Sequence, residues 1–308
     1  MMTFRVLASD PLAAESVEAM RSGGLEVDEK TELSVDELKA EIGAYDAIVI
    51  RSATKLRAEI LDEATNLKLI VRAGVGLDNI DVEYAKAKGI EVRNTPAASS
   101  NSVAELALGH ILSLARHIGR GTASTKAGKW EKKQLKGIEI DGKTLGVVGI
   151  GRIGQMLACK AAALGMRVIS YDAYLAESPI PDVAPMVGLE QLLGESDFVS
   201  LHIPFDPSVG ATIGEGEFAK MKDGVRIVNC ARGGVVDEAA LAAAMGSGKV
   251  AGAALDVFET EPPAADHPVL ALEAVSFTPH IGASTVEAQS RVGREAAQIV
   301  IEFAKSRG

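Results

Sequence analysis

The stretches of this chain that could do chemistry each follow an apolar, β-branched run. The first is Gly149-Ile150-Gly151-Arg152-Ile153-Gly154, which comes after Lys143-Thr144-Leu145-Gly146-Val147-Val148 and leads into the helix-forming run Gln155-Met156-Leu157-Ala158. A second strand-like run, Arg167-Val168-Ile169-Ser170-Tyr171, ends at Asp172, which stands 18 residues beyond Gly154. Each part has a mechanical reason. Gly149 permits the tight strand-to-helix turn, Gly151 lets the backbone approach a pyrophosphate, and Gly154 lets helix and strand pack closely. The helix N-terminus offers unpaired N–H groups and a positive dipole end to phosphates. A carboxylate at Asp172 would accept the ribose hydroxyls and repel a 2′-phosphate, which favours NAD over NADP. S-adenosylmethionine, whose sites also use a glycine-rich turn and an acid, is the rival ligand.

Three further polar residues stand where apolar runs end. Arg232 follows Val228-Asn229-Cys230-Ala231 and precedes Gly233-Gly234. A guanidinium there suits a bidentate clamp on a carboxylate, although a surface salt bridge would use the same residue. Glu261 lies in Asp256-Val257-Phe258-Glu259-Thr260-Glu261-Pro262-Pro263, where two prolines stiffen the loop. His280 lies in Phe277-Thr278-Pro279-His280-Ile281-Gly282-Ala283. Of the five histidines, His110 and His117 read as structural residues of a long helix and His267 as a polar-loop residue. His202, before Ile203-Pro204, ends another strand and suits the wall of a cofactor pocket. His280 is the best general acid/base, since an imidazole titrates near working pH. Glu261 fits the orienting partner, giving a His/Glu proton relay with Arg232 as the substrate clamp. No metal site is expected.

The elements that must hold these residues alternate between strand and helix. Strands are expected at Phe4-Arg5-Val6-Leu7-Ala8, Ala47-Ile48-Val49-Ile50, Leu69-Ile70-Val71 and Ile90-Glu91-Val92, with amphipathic helical stretches such as Val35–Ile42 between them. A break at Asn94–Asn101 is followed by a helix expected from about Ser102 to Arg120, its start marked by Ser102 and Glu105 at capping-box spacing. Strands then recur at Thr144–Val148, Arg167–Tyr171, Phe198–Leu201, Val225–Asn229, Gly252–Leu255 and Val275–Phe277. Alternation at this spacing predicts an α/β protein with two doubly wound parallel-sheet domains. A last helix, Val286 to Ala304, follows the completed second domain and should pack back on the first. The first domain is therefore discontinuous, residues 1–97 with 285–308, and the second spans 98–284.

Composition narrows the class. The chain has 308 residues, two domains' worth at roughly 100–200 each. Hydrophobic residues make up 47%, enough for large cores. A net charge of −10 disfavours general nucleic-acid binding, which needs a Lys/Arg surface. Two cysteines, Cys159 and Cys230, form no disulfide framework and fit a reducing compartment. Cys159, in the apolar run Met156-Leu157-Ala158, reads as a buried thiol. No signal-like segment opens the chain and no apolar run nears a bilayer span, so a cytoplasmic location is expected.

Taken together, Arg51-Ser52-Ala53-Thr54-Lys55, Arg72–Asp81, the Gly149–Gly154 turn, Asn229–Glu238, Ala253–Pro263 and Pro279–Thr285 resemble the D-isomer-specific 2-hydroxyacid dehydrogenase family over essentially the whole chain. The resemblance implies a Rossmann NAD-binding domain inserted into a flavodoxin-like substrate domain. It implies catalytic roles for Arg232, Glu261 and His280. It implies cofactor contacts at Val75, Gly149, Gly151, Arg152, Ile153, Gly154, Asp172, His202, Ile203, Pro204, Cys230, Ala231, Arg232, Asp256, His280, Gly282 and Ala283. Substrate contacts are expected at Arg51, Ser52, Lys55, Arg72, Gly74 and Val75, and at Lys132 in a segment that reaches a partner subunit. The likeness within the family in Gly128–Lys133, Asn229–Glu238 and Gly282–Thr285 implies oxidation of 3-phosphoglycerate to 3-phosphohydroxypyruvate, the start of serine synthesis. Two positions depart from the pattern, Ser99 in place of an Asn and Lys132 in place of an Arg, and both bear on the substrate rather than on the reaction. Nothing in the chain could form a serine-binding regulatory domain, so feedback through one is not expected. A homodimer that closes its cleft on binding is the family expectation. Reduction of hydroxypyruvate or glyoxylate, D-lactate oxidation, and an NAD-sensing corepressor role are the alternatives.

Overall fold

The computed structural model describes residues 4–307 of the chain. They form two compact units: one of the described residues up to Ser99 together with those from Ala283 onward, the other Ser100–Gly282. The division falls two residues inside each expected boundary.

The first unit runs β1 (Arg5–Ala8), α1 (Ala14–Ser22), β2 (Glu26–Glu29), α2 (Val35–Ile42), β3 (Ala47–Ile50), α3 (Ala58–Leu61), β4 (Leu69–Arg72), α4 (Val82–Ala87) and β5 (Glu91–Asn94). Its five parallel strands lie in the order β2-β1-β3-β4-β5, the flavodoxin-like doubly wound order. Strand β3, Ala-Ile-Val-Ile, is buried throughout because helices cover both faces. Leu38, Ile42, Ile60, Leu61 and Ala85 of α2, α3 and α4 fill one face. Val17 and Met20 of α1 fill the other beside the chain's last helix, Val286–Arg307, which brings Val292, Ala296, Val300 and Phe303. Ser16 of α1 sits so close to Gly293 that any side chain there would collide with it. Strand β2 escapes the periodicity argument. It is an edge strand, Glu-Val-Asp-Glu, in which only Val27 is buried, and it is held by Arg5–Asp28 and Arg21–Glu29 ion pairs at 3.1 Å each. The capping-box signal is realised here, at Ser34 and Glu37 before α2.

The second unit runs α5 (Ser100–Arg116), α6 (Ile118–Lys126), β6 (Thr144–Val148), α7 (Arg152–Ala163), β7 (Arg167–Tyr171), α8 (Leu189–Glu195), β8 (Phe198–Leu201), α9 (Glu215–Lys220), β9 (Val225–Asn229), α10 (Glu238–Gly246), β10 (Val250–Leu255), a 3-10 turn (Pro268–Ala271) and β11 (Val275–Phe277). The closing helix Val286–Arg307 is α11. The expected helix from Ser102 to Arg120 is two helices. His117 takes a left-handed conformation, φ 54°, and breaks the run between α5 and α6. Because α5 already begins at Ser100, Ser102 lies inside its first turn rather than at its cap. Cys159, expected inside, is exposed on α7, since the buried stripe of that helix is Gly154, Leu157, Ala158 and Ala161.

The strand order is β11-β10-β9-β8-β6-β7, all parallel. Beyond β7 a further strand survives as a single bridge. Met186 pairs with Ser170, and Ser170 N–H donates to Pro185 O (2.9 Å) while Val187 N–H donates to Ser170 O (2.8 Å). Helices α5 and α7 cover one face and α8, α9 and α10 the other. The order reverses between β6 and β8, and in such sheets the ligand crevice lies beyond the strand ends at that point.

Candidate active site

The turn after β6 is built as its glycines require. Gly149 has φ +92° and gives its N–H to Tyr171 O at 2.7 Å. A side chain on it would run into the backbone of His202, and one on Gly154 would strike Gly149 O. Gly151 is different: nothing lies within 4 Å of where its Cβ would be. It is the N-cap of α7 and supplies no capping side chain, with Arg152 and Ile153 opening the helix. An open approach to an uncapped helix start fits a pyrophosphate. Asp172 Oδ2 accepts Ile150 N–H (3.0 Å) and Oδ1 accepts Tyr174 N–H (2.9 Å). The carboxylate thus braces the turn, and each oxygen keeps lone-pair capacity for a ribose hydroxyl. Across the switch point, His202 Nε2 meets Ser200 Oγ at 2.9 Å, while its Nδ1 is buried without a partner. Burial drops the ring's pKa to about 4. A buried, unpaired ring nitrogen beside the glycine turn fits a wall that a bound ligand completes. Ile203 packs near Gly149, and Pro204 is exposed.

The other candidates come from the carboxyl ends of the adjacent strands β9, β10 and β11. After β9, the Asn229 side chain ties the turn: Nδ2 donates to Arg232 O (2.9 Å) and Oδ1 accepts Ala231 N–H (3.0 Å). Arg232 is half-buried and its Nη1 donates to Ala231 O at 2.7 Å. Cys230 is buried, which pushes its thiol pKa well up and keeps it from acting as a nucleophile. Gly233 lies against the Phe258–Glu259 peptide, a contact with no room for a side chain. The arginine turn therefore rests on the loop that carries Glu261.

After β11 the chain reaches His280, also left-handed at φ 53°, with its N–H donated to Asp256 O at 2.8 Å. His280 Nδ1 lies 2.7 Å from Glu261 Oε2, and Glu261 Oε1 accepts Phe258 N–H at 3.2 Å. An ionised carboxylate only accepts, so Nδ1 carries the proton and the neutral ring keeps its lone pair on Nε2. The side chains are 52% and 37% exposed, so a substrate can reach the pair. An apolar cavity of about 520 Å³ opens beside it, walled by Phe258, Pro262, Leu270 and Phe277.

Asp256, the expected cofactor contact at the end of β10, ties down the turn at His280. It is 1% exposed and accepts three hydrogen bonds: Oδ1 takes Thr278 Oγ1–H (2.6 Å) and Ile281 N–H (2.9 Å), and Oδ2 takes Gly282 N–H (2.9 Å). Thr278 Oγ1 is 3.1 Å from His110 Nε2, and since its own hydrogen goes to Asp256, His110 is the donor. His110 is buried, which lowers its pKa. The network holds the left-handed turn at His280. Neither His110 nor Thr278 was among the expected site residues.

In the first unit, Arg51, Ser52 and Lys55 follow β3 on a turn fixed by Asp10 and Asn79. Asp10 accepts Thr54 N–H (3.2 Å), and Asn79 Nδ2 donates to Arg51 O (2.8 Å) and Thr54 O (2.7 Å). Ser52 and Lys55 are exposed. Arg72 ends β4 and lays its guanidinium over Gly74, and Val75 O accepts Asn94 Nδ2. Ala283 O accepts Gln289 Nε2 at 3.3 Å. In the second unit, Lys132 is exposed. No described helix is long and apolar enough to cross a membrane.

Residues 108–282 match the family model for the D-isomer specific 2-hydroxyacid dehydrogenase NAD binding domain. A hydroxypyruvate reductase of Thermotoga maritima is 53% identical over 96% of this chain and 96% of its own length. A D-3-phosphoglycerate dehydrogenase of Archaeoglobus fulgidus is 47% identical over 98% of this chain, which spans 57% of that relative. The solved D-lactate dehydrogenase of Aquifex aeolicus, in complex with NAD and lactic acid, is 34% identical over 98% of this chain and 96% of its own, with a TM-score of 0.83. The chain belongs to the D-isomer specific 2-hydroxyacid dehydrogenase family, with NAD as its cofactor.

Proposed function

We propose that the protein oxidises D-3-phosphoglycerate to 3-phosphohydroxypyruvate. The observation that carries the reaction is the His280–Glu261 pair at 2.7 Å, which leaves Nε2 of the neutral imidazole ready for a proton. In this reading Nε2 takes the substrate's hydroxyl proton while the C2–O bond becomes a carbonyl. Glu261 holds the resulting imidazolium. NAD, held by the Gly149–Gly154 turn, Asp172 and His202, supplies the hydride acceptor. Arg232 pairs with the substrate carboxylate and polarises the carbonyl in the reverse direction.

The phosphorylated substrate is supported by the likeness to D-3-phosphoglycerate dehydrogenases at 45–48% identity. It is supported separately by Arg51, Ser52, Arg72, Gly74 and Val75, which give cationic and N–H groups to the strand ends of the first unit. We assign the first unit to substrate and the second to the cofactor. The second reading, reduction of hydroxypyruvate, is favoured by the 53% identity to a reductase of matching length. A homodimer is supported by Trp130, which stands 84% exposed on a charged segment.

Comparing kcat/KM for 3-phosphoglycerate with NAD, at alkaline pH with a product trap, against hydroxypyruvate, glyoxylate and lactate tests the substrate. A preference of tenfold or more for the phosphorylated acid is the expected result, and an equal or reversed preference sinks it.

A further inference from the structure

We propose that Glu238 and His267 are positioning residues for Glu261, an inference that rests on the proton-relay reading above. Glu238 opens α10 and is only 9% exposed, a costly place for a carboxylate without partners. It has two. Oε1 accepts the Glu259 N–H at 2.9 Å, and Oε2 lies 2.9 Å from His267 Nε2. One side chain thereby ties both limbs of the loop between β10 and the 3-10 turn. It grips residue 259, two before Glu261 on the outgoing limb, and residue 267 on the returning one.

The protonation pattern mirrors that of the active pair with the ring reversed. Glu238 only accepts, so His267 carries its hydrogen on Nε2, and its Nδ1 is buried with no partner. Phe258 packs edge-on against His267 (centroids 6.3 Å apart) and stacks on Phe277 (5.8 Å). The clamp adds direction. It fixes the Glu259 peptide on which Gly233 also rests, so the carboxylate that faces His280 and the turn that bears Arg232 share one anchor.

The test is steady-state kinetics on the full chain, with the preferred substrate at saturating NAD. Glu238→Ala should lower kcat by about 10-fold to 100-fold, as expected when a reacting group is misplaced by about 1 Å, with NAD affinity within twofold of wild type. Glu238→Gln keeps an acceptor for Glu259 N–H and a donor for the other His267 tautomer, so it should hold kcat within about threefold. In a Glu261→Gln background, Glu238→Ala should cost less than twofold more, because the two changes act through one group. If Glu238→Ala does not fold, His267→Leu, which cuts one arm of the clamp, must show the same non-additivity. An active wild type with unchanged kcat in these variants, with equal losses for Ala and Gln, or with losses that multiply in the Glu261→Gln background overturns the positioning role alone. A wild type that turns over no 2-hydroxy or 2-keto acid overturns the relay reading, and the positioning role with it.

Discussion

Glu261 meets His280 at Nδ1, 2.7 Å away, and so decides which nitrogen of the ring is left to take a proton. Glu261→Gln should therefore do more than remove a charge. The amide can donate to Nδ1, which moves the ring hydrogen to Nε2 and removes the base. Turnover should fall about 10²- to 10⁴-fold, the range in which acid–base groups act and in which a wrong tautomer is felt. His280→Ala should fall as far while NAD still binds. Stopped-flow turnover beside fluorescence titration of NAD checks both, and near-normal rates in either variant would remove the pair from the mechanism.

Gly151 and Gly154 are two residues of the same turn with opposite surroundings. Gly154→Ala pushes a methyl into Gly149 O and should cost about 2 kcal/mol of stability, the usual range for overpacking. Gly151→Ala meets open space and should fold within about 0.5 kcal/mol of wild type, yet bind NAD more weakly. Urea denaturation with NAD titration distinguishes them. Equal stability losses would contradict the packing described.

Asp172→Ala loses two backbone bonds, to Ile150 and Tyr174, besides the ribose contact proposed for it. NAD affinity should drop by about tenfold or more, since a bond from a charged group is worth ~1.5–3 kcal/mol. The preference for NAD over NADP should narrow in parallel. An unchanged cofactor preference would leave Asp172 only its bracing role.

His202 predicts an acid limb in stability. Its ring titrates at about 4 when folded against an ordinary 6.5. Above pH 6.5 neither state is protonated and its contribution is complete. As pH falls from 6.5 toward 4, the unfolded chain takes up a proton that the native chain refuses, and stability drops by up to about 3 kcal/mol. His110, also lowered by burial, acts in the same direction. Denaturant midpoints for wild type and His202→Asn between pH 8 and 4 should converge at the acid end. Parallel curves would exclude the assignment.

The parallel strands were legible because burial on both faces writes them as short, mostly apolar and β-branched runs; Thr144–Val148, Arg167–Tyr171, Phe198–Leu201 and Val225–Asn229 match the structure residue for residue. Where only one side is covered, the signal fades. Strand β2 is three-quarters charged, and the strand at Met186 is a single bridge. The break falls on His117 itself, which is neither glycine nor proline. The candidates Arg232, Glu261 and His280 stand out in the sequence because they follow strands, and the structure pairs Glu261 with His280. The contacts of His110, Thr278, Glu238 and His267 do not stand out, because each is made to a residue 21 or more positions away. The capping-box spacing at Ser102 misled for a local reason: α5 had already begun.

The closing helix α11 lies on α1 and β4 of a sheet whose strands all come from the first 94 residues. On the ribosome, those strands emerge first yet cannot be sealed. Val17, Met20 and Val71 stay without Val292, Ala296 and Val300 until α11 has been translated. The intervening unit, whose sheet and covering helices all fall within Ser100–Gly282, can mature meanwhile. Synthesis order and maturation order are thus inverted, and a nascent chain stalled before codon 286 would carry a finished nucleotide unit behind an open, sticky first half.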